Sequence, residues 1–245
     1  MVDYDVLHED VIRLLRVRGD PVGFKFYRER KVGLPYLKRS LALCQVLRLV
    51  AIYGHVLGVN GDLIDTYVIG NYVLGFKDLP PDISERWVKY RAMSEEVFKA
   101  MISAMHRLRV GEYQSAIFAP LKHFKKLGED PDGVVLLVNS TQAYLLLSSY
   151  FDVVGKKPTS DFNGHAACEI IATVTQGKSP WLTIPCGGAR SLAGVEDDEL
   201  WIGMKARDLE VVIRDSRRLD NATPTNIPST LDATNQGTPT NVAHI

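Results

Sequence analysis

From Phe162 to Gly203 the chain packs helix, strand, turn, short helix and strand into one continuous stretch, an order that a layered sheet-and-helix architecture accommodates. A helix carrying His165 and Cys168 is expected to end near Gly177. A strand then covers Trp181 to Ile184, a turn Pro185 to Gly188, a short helix the residues up to Gly194, and a second strand Glu199 to Gly203. Cys186 falls where strand passes into helix. Free backbone N–H groups and the helix dipole favour an anion at such a junction, either a bound phosphate or carboxylate or the thiolate itself.

The remainder alternates in the same way. Asp3 is placed to cap a first helix with Tyr4, Leu7, Val11, Leu14 and Leu15 on one face, and Val22–Tyr27 reads as a strand with Phe24 and Phe26 on one side. Ser40 is expected to cap a helix reaching Tyr53 that is apolar nearly all round and carries Cys44, so Cys44 is expected to be shielded. Leu63–Gly75 is a short apolar segment. Ser84 opens a helical stretch to about Leu108, re-capped at Ser94, with Val97, Phe98, Met101, Ile102, Met105 and Leu108 on its apolar stripe. Tyr113–Ala119 and Val134–Asn139 read as strands, Ser140 caps a helix, and Arg207–Leu219 closes the body with Leu209, Val212, Ile213 and Ser216 inward. The fold class is therefore α/β or α+β, a mixed sheet with helices packed on it. Residues 1–219 are read as a single domain and 220–245, rich in Asn, Thr and Pro, as a polar flexible tail.

Two stretches resemble each other within the chain. One runs from Cys44 to Gly75 and the other from Cys168 to Gly194. Aligning their final glycines sets Tyr67 against Cys186, Gly70 against Ala189 and Asn71 against Arg190. One hypothesis is two pseudo-symmetric halves that bring Cys44, Cys168 and Cys186 to a shared centre; the alternative is coincidence between two ordinary helix–strand–helix segments.

Charge narrows the function classes. Lys plus Arg and Asp plus Glu are 29 each, with a sequence pI near 7.0, which leaves no basic stripe for a nucleic acid. Leu41–Val59 is apolar but contains Gln45, Arg48 and His55, so a core helix running into a turn is expected there and no membrane partner. Three cysteines do not make a secreted disulfide scaffold, and the acidic opening MVDYDVLHED lacks an apolar signal core. A cytoplasmic location is expected.

His165, Cys168 and Cys186 are spaced H-x2-C-x17-C. A closed zinc site wants four ligands with tight pairs, and a cytidine-type deaminase wants a Glu and a second Cys where Ala167 and Ala189 stand. No metal site is assigned; an iron–sulfur cluster on Cys44, Cys168 and Cys186 with a non-protein fourth ligand remains open, and the cofactor is unknown. Cys186 is the candidate nucleophile or redox thiol, with His165 as its base and Arg190 one turn on to lower its pKa. Gly187, Gly188 and Arg190, with Cys168 and Cys44, make up the candidate ligand site for a small anionic molecule. The structural alternative is a tight turn in which Gly187 and Gly188 permit positive φ and Arg190 pairs with Glu196 or Asp198.

The blocks YQSAIFAPL, PDGVVLLV and CEIIATVTQGKSPWLTIPCGGARSLAGVEDDELWIGM, in that order, resemble the domain of unknown function 169 family, from about Pro21 to Leu219. The resemblance implies kinship of fold and no reaction. It also implies that Cys44, Cys168 and Cys186 match cysteine positions of the family. A further cysteine frequent in the family falls in TYVIGNYVLG, where this chain has Thr66 or Tyr67, and that departure counts against a four-thiol cluster. Two functional readings follow. One is a small-anion or cofactor site at the Cys186–Arg190 turn with thiol redox or transfer chemistry. The other is a non-catalytic interaction or homo-oligomeric module whose cysteines are core residues or a disulfide staple.

Overall fold

The computed structural model describes residues 2–91, 93–160, 166–216 and 219. His165 and the tail 220–245 lie outside the described residues. A seven-stranded mixed sheet forms the middle of the molecule. Its strands are β1 (Val22–Tyr27), β2 (Leu57–Val59), β3 (Ser115–Pro120), β4 (Gly133–Val138), β5 (Thr159–Ser160), β6 (Trp181–Thr183) and β7 (Leu200–Met204). They are ordered β2-β3-β1-β4-β7-β6-β5, and every neighbouring pair is antiparallel except β5–β6.

β3 and β4 are buried along their whole length because both sheet faces are covered, so their sequences read as continuous apolar runs rather than alternating ones. Alternation nonetheless sorts the side chains. Val135 and Leu137 of β4 enter one core, while Val134, Leu136 and Val138 enter the other. The second core is closed by α1 (Tyr4–Leu15), α6 (His123–Leu127), α7 (Ser140–Val154) and α10 (Ala206–Asp215). The first, which holds all three cysteines, is closed by α2 (Leu43–Tyr53), α3 (Val68–Val73), α4 (Ile83–Arg91), α5 (Glu95–Ala104), α8 (Glu169–Thr175) and α9 (Gly187–Ala193).

Local chemistry sets most boundaries. Asp3 accepts from the N–H groups of Asp5 and Val6, and Gly54, Gly155 and Gly194 end α2, α7 and α9 in the left-handed region. Four expectations need correction. α2 is capped at Ala42, not Ser40, whose hydroxyl instead accepts from Asp65 N–H. Asn139, not Ser140, caps α7, through a reciprocal pair with Gln142. The stretch from Ser84 to Leu108 is two helices, with Ser94 capping the second as expected and Ala104 ending it. On α1, Leu14 is only partly buried, and the buried face also carries His8, which pairs with Asp20 at 3.0 Å.

α8 lies close against the sheet at Gly203 of β7. A Cβ there would meet Val174 at 2.7 Å and Ile170 at 2.8 Å, so only glycine lets the helix approach this far. That contact fixes the height at which α8 begins, and with it the position of Cys168.

Candidate functional site

Each cysteine stands at the N-terminal end of a helix. Cys44 is the second residue of α2, while Cys168 and Cys186 are the N-cap residues of α8 and α9. A fourth helix, α3, points its N-cap residue Tyr67 to the same place. Gly70 permits this approach, since a Cβ there would sit 3.2 Å from Leu43 Cβ and 2.9 Å from Ile64. Between the four helix ends lies a cavity of about 10 Å³, lined by the three cysteines, Tyr67 and small or aliphatic residues including Leu43, Ile69, Gly70, Ala166 and Ala189. It is at most the size of one water.

Gln45 ties this arrangement together. Its Oε1 accepts from Ala42 N–H at 2.9 Å, closing the start of α2, and its Nε2 donates to Leu192 O at 3.1 Å on α9. The Cys44 thiol thereby donates to Gly188 O at 4.0 Å, and Cys168 lies on the same cavity wall. All three thiols are free and buried, with Cys44 4%, Cys168 7% and Cys186 6% exposed.

The electrostatics separate the pair. The Cys168 hydrogen bond and the backbone N–H groups of Gln45 and Cys44 draw the Cys44 pKa below the ordinary thiol value, against the opposing effect of burial. Cys168 moves the other way. Donating to Cys44, being buried and standing near both other sulfurs all push its pKa well above the ordinary value. The two thiols are thus shifted in opposite directions, Cys44 downward and Cys168 upward.

The Gly-Gly-Ala-Arg turn differs from its expected form. Neither Gly187 nor Gly188 has positive φ, since both lie in the first turn of α9. Gly188 lines the cavity and Gly187 does not. Arg190 is turned to the acidic loop instead, donating to Glu196 O at 3.0 Å and Asp197 Oδ1 at 3.2 Å. Its guanidinium is not part of the cavity wall, so the wall is apolar apart from its sulfurs, backbone and Tyr67. Among the described residues, no group of three His, Cys, Asp or Glu side chains is placed to hold a metal ion.

Spacing alone did not reveal the cover over the site. The Tyr67 ring stacks on Trp87 of α4 at 6.0 Å, and Trp87 meets Phe98 of α5 edge-on at 6.0 Å. α4 and α5 thus roof the α3 side of the cavity. The available sequence signal was the strand-to-helix junction at Cys186 and the alignment of Tyr67 with it; Cys44 and Cys168 read as positions within helices.

A family model, DUF169, described as "Uncharacterised ArCR", matches residues 11–215. A protein of Methanocaldococcus jannaschii, "Uncharacterized protein MJ0308", is 25% identical over 150 residues, which cover 59% of this chain and 63% of that protein. The match therefore spans less than two thirds of the relative's own length. No solved structure matches. Among the described residues, no helix is long and apolar enough to cross a membrane.

Proposed function

The chain belongs to the DUF169 family, and for this member we propose a thiol redox function, in which Cys44 and Cys168 cycle between a dithiol and a disulfide. Cys44 supplies the thiolate and Cys168 the partner sulfur. Closing the bond releases two protons and two electrons, and opening it takes them back. The observation that carries this reading is geometric: Cys44 and Cys168, far apart in sequence, meet from the starts of two different helices on the wall of one small buried cavity.

The reading keeps the thiol chemistry expected from sequence but moves it from Cys186 to the Cys44–Cys168 pair. It does not use Arg190 as an anion clamp, because that side chain is engaged by Glu196 and Asp197. Cys186 completes the wall next to the pair.

The test is equilibration of the full-length protein in mixtures of reduced and oxidised dithiothreitol, followed by alkylation and peptide mapping. A Cys44–Cys168 disulfide that appears and disappears reversibly with the buffer ratio is the expected result. Three free thiols at every ratio would leave the cysteines as core residues and end the redox reading.

A further inference from the structure

A second cavity, of about 50 Å³, opens where β4 ends and α7 begins, and it shares no wall residue with the cysteine cavity. We propose that it binds the head group of a free α-amino acid, a carboxylate and an ammonium carried on one carbon. The proposal is independent of the redox reading.

Three observations carry it. The first is volume. One water needs about 10–15 Å³, so this space takes about three to five of them, enough for the nitrogen, two carbons and two oxygens of the head group. A side chain would project through the opening to solvent. The second is charge of both signs. Arg18, from the connection between α1 and β1, and Glu196 and Asp198, from the loop before β7, stand exposed on the cavity wall. Among the described residues none of these three side chains has an ion-pair partner, since Arg190 reaches only the Glu196 backbone carbonyl and Asp197. The third is the buried pair behind them. Arg48 uses one guanidinium N–H on Glu199 Oε2, and Trp201 Nε1 takes the other Glu199 oxygen. Glu199 is therefore satisfied, while Arg48 keeps donors for an incoming acceptor.

A ligand of a single sign is poorly matched to this wall. A plain carboxylate or phosphate meets Arg18 and Arg48 but is repelled by Glu196 and Asp198, and a plain amine meets the reverse. An α-amino acid answers both. Its carboxylate accepts from the two guanidiniums, and the start of the 15-residue α7, capped by Asn139 on the same wall, adds a favourable field. Its ammonium donates to Glu196 or Asp198. Ile52 and Leu137 give the carbon between them an apolar surface.

The experiment follows backbone amide NMR shifts of isotope-labelled full-length protein titrated with glycine and, separately, with acetate and with methylammonium, the two halves of the head group. Glycine is expected to bind at least about tenfold more tightly than either half, with shifts at Gly19 and Val138. Arg18→Gln, and the double variant Glu196→Gln, Asp198→Asn, should each weaken glycine binding by at least about fivefold. Melting should be unchanged in both, because these side chains hold no ion-pair partner in the fold. Acetate binding as tightly as glycine would reduce the cavity to an anion site and overturn the proposal. Glycine binding that survives both sets of substitutions would overturn it by placing the ligand elsewhere, and so would unshifted amides up to high millimolar glycine. None of these outcomes bears on the thiol pair.

Discussion

Arg48, one turn beyond Cys44 on α2, lies 2.6 Å from Glu199 at the entry to β7, and the other Glu199 oxygen accepts from Trp201 Nε1 at 2.9 Å. The pair is largely buried, with side-chain exposures of 19% and 9%. It fastens the helix that presents Cys44 to the half of the sheet that presents Cys186. Removing only the cation leaves a buried carboxylate without its partner. Arg48→Ala should therefore cost roughly 3–5 kcal/mol in chemical denaturation, whereas the double variant Arg48→Met, Glu199→Gln should cost clearly less. Equal losses would mean that the pair contributes packing rather than charge.

Oxidation should stabilise the protein. A Cys44–Cys168 bond closes a loop of somewhat over 100 residues, for which the chain-entropy contribution is about 4.7 kcal/mol before any strain. Melting of oxidised protein with and without dithiothreitol measures it, and Cys168→Ser should show no difference between the two conditions.

The reactivity of Cys44 should rise with pH and level off below the ordinary thiol value of 9.0, because the thiolate is the reacting form and its pKa is drawn down. Cys168→Ala removes the leading cause of that shift. The pH profile of alkylation at Cys44 by a small reagent should then move to higher pH. A profile unchanged by the substitution would show that the backbone N–H groups hold the thiolate without Cys168.

His8 gives a second pH effect of defined sign. Burial lowers its pKa from 6.5, outweighing the nearby Asp20 and Glu9 carboxylates, while Lys122 acts with burial. The folded protein then binds fewer protons than the unfolded chain between the depressed value and 6.5. Stability should accordingly fall as pH drops through that window, and His8→Gln should flatten this part of the curve. Denaturation midpoints across the window test it.

Gly203→Ala should destabilise by about 1–3 kcal/mol, because the new methyl group would overlap Val174 and Ile170 and push α8 off the sheet. Alkylation of Cys168 in the variant should also quicken, as the helix that buries it is displaced.

Much of the fold is legible in the residues. β1 is readable to the residue from Phe24 and Phe26 on one face, and α10 buries Leu209, Val212 and Ile213, as its periodicity selects, with Ser216 buried at its C-cap. Helix starts are less legible where neighbouring polar residues compete. Ser40 and Ser140 are both good cap formers, yet tertiary contacts engage Ser40 with the Asp65 backbone, and Gln142 selects Asn139. The site is legible in part. Cys186 is marked by its place at a strand-to-helix junction, whereas Cys44 and Cys168 read as positions within helices, although all three line the cavity from helix starts. Their hydrogen-bond partners are not legible. Which thiol meets which depends on how closely α2 and α8 approach, and that distance is set by packing on the sheet rather than by any spacing along the chain. The direction of Arg190 is hidden for a similar reason, since it depends on the path of the acidic loop from Glu196 to Asp198.

The strand order has a consequence for how the cysteines come to be neighbours. β1 and β4 pair in the middle, with β3 and β2 outside one and β7, β6 and β5 outside the other. Cys44 follows β1, while Cys168 and Cys186 both follow β4. Neither wing carries the thiol couple alone. A nascent chain that has emerged only as far as α6 holds a solitary cysteine, and Cys168 follows only after β4 in the chain. Cross-linking within the first wing therefore has no second sulfur to use.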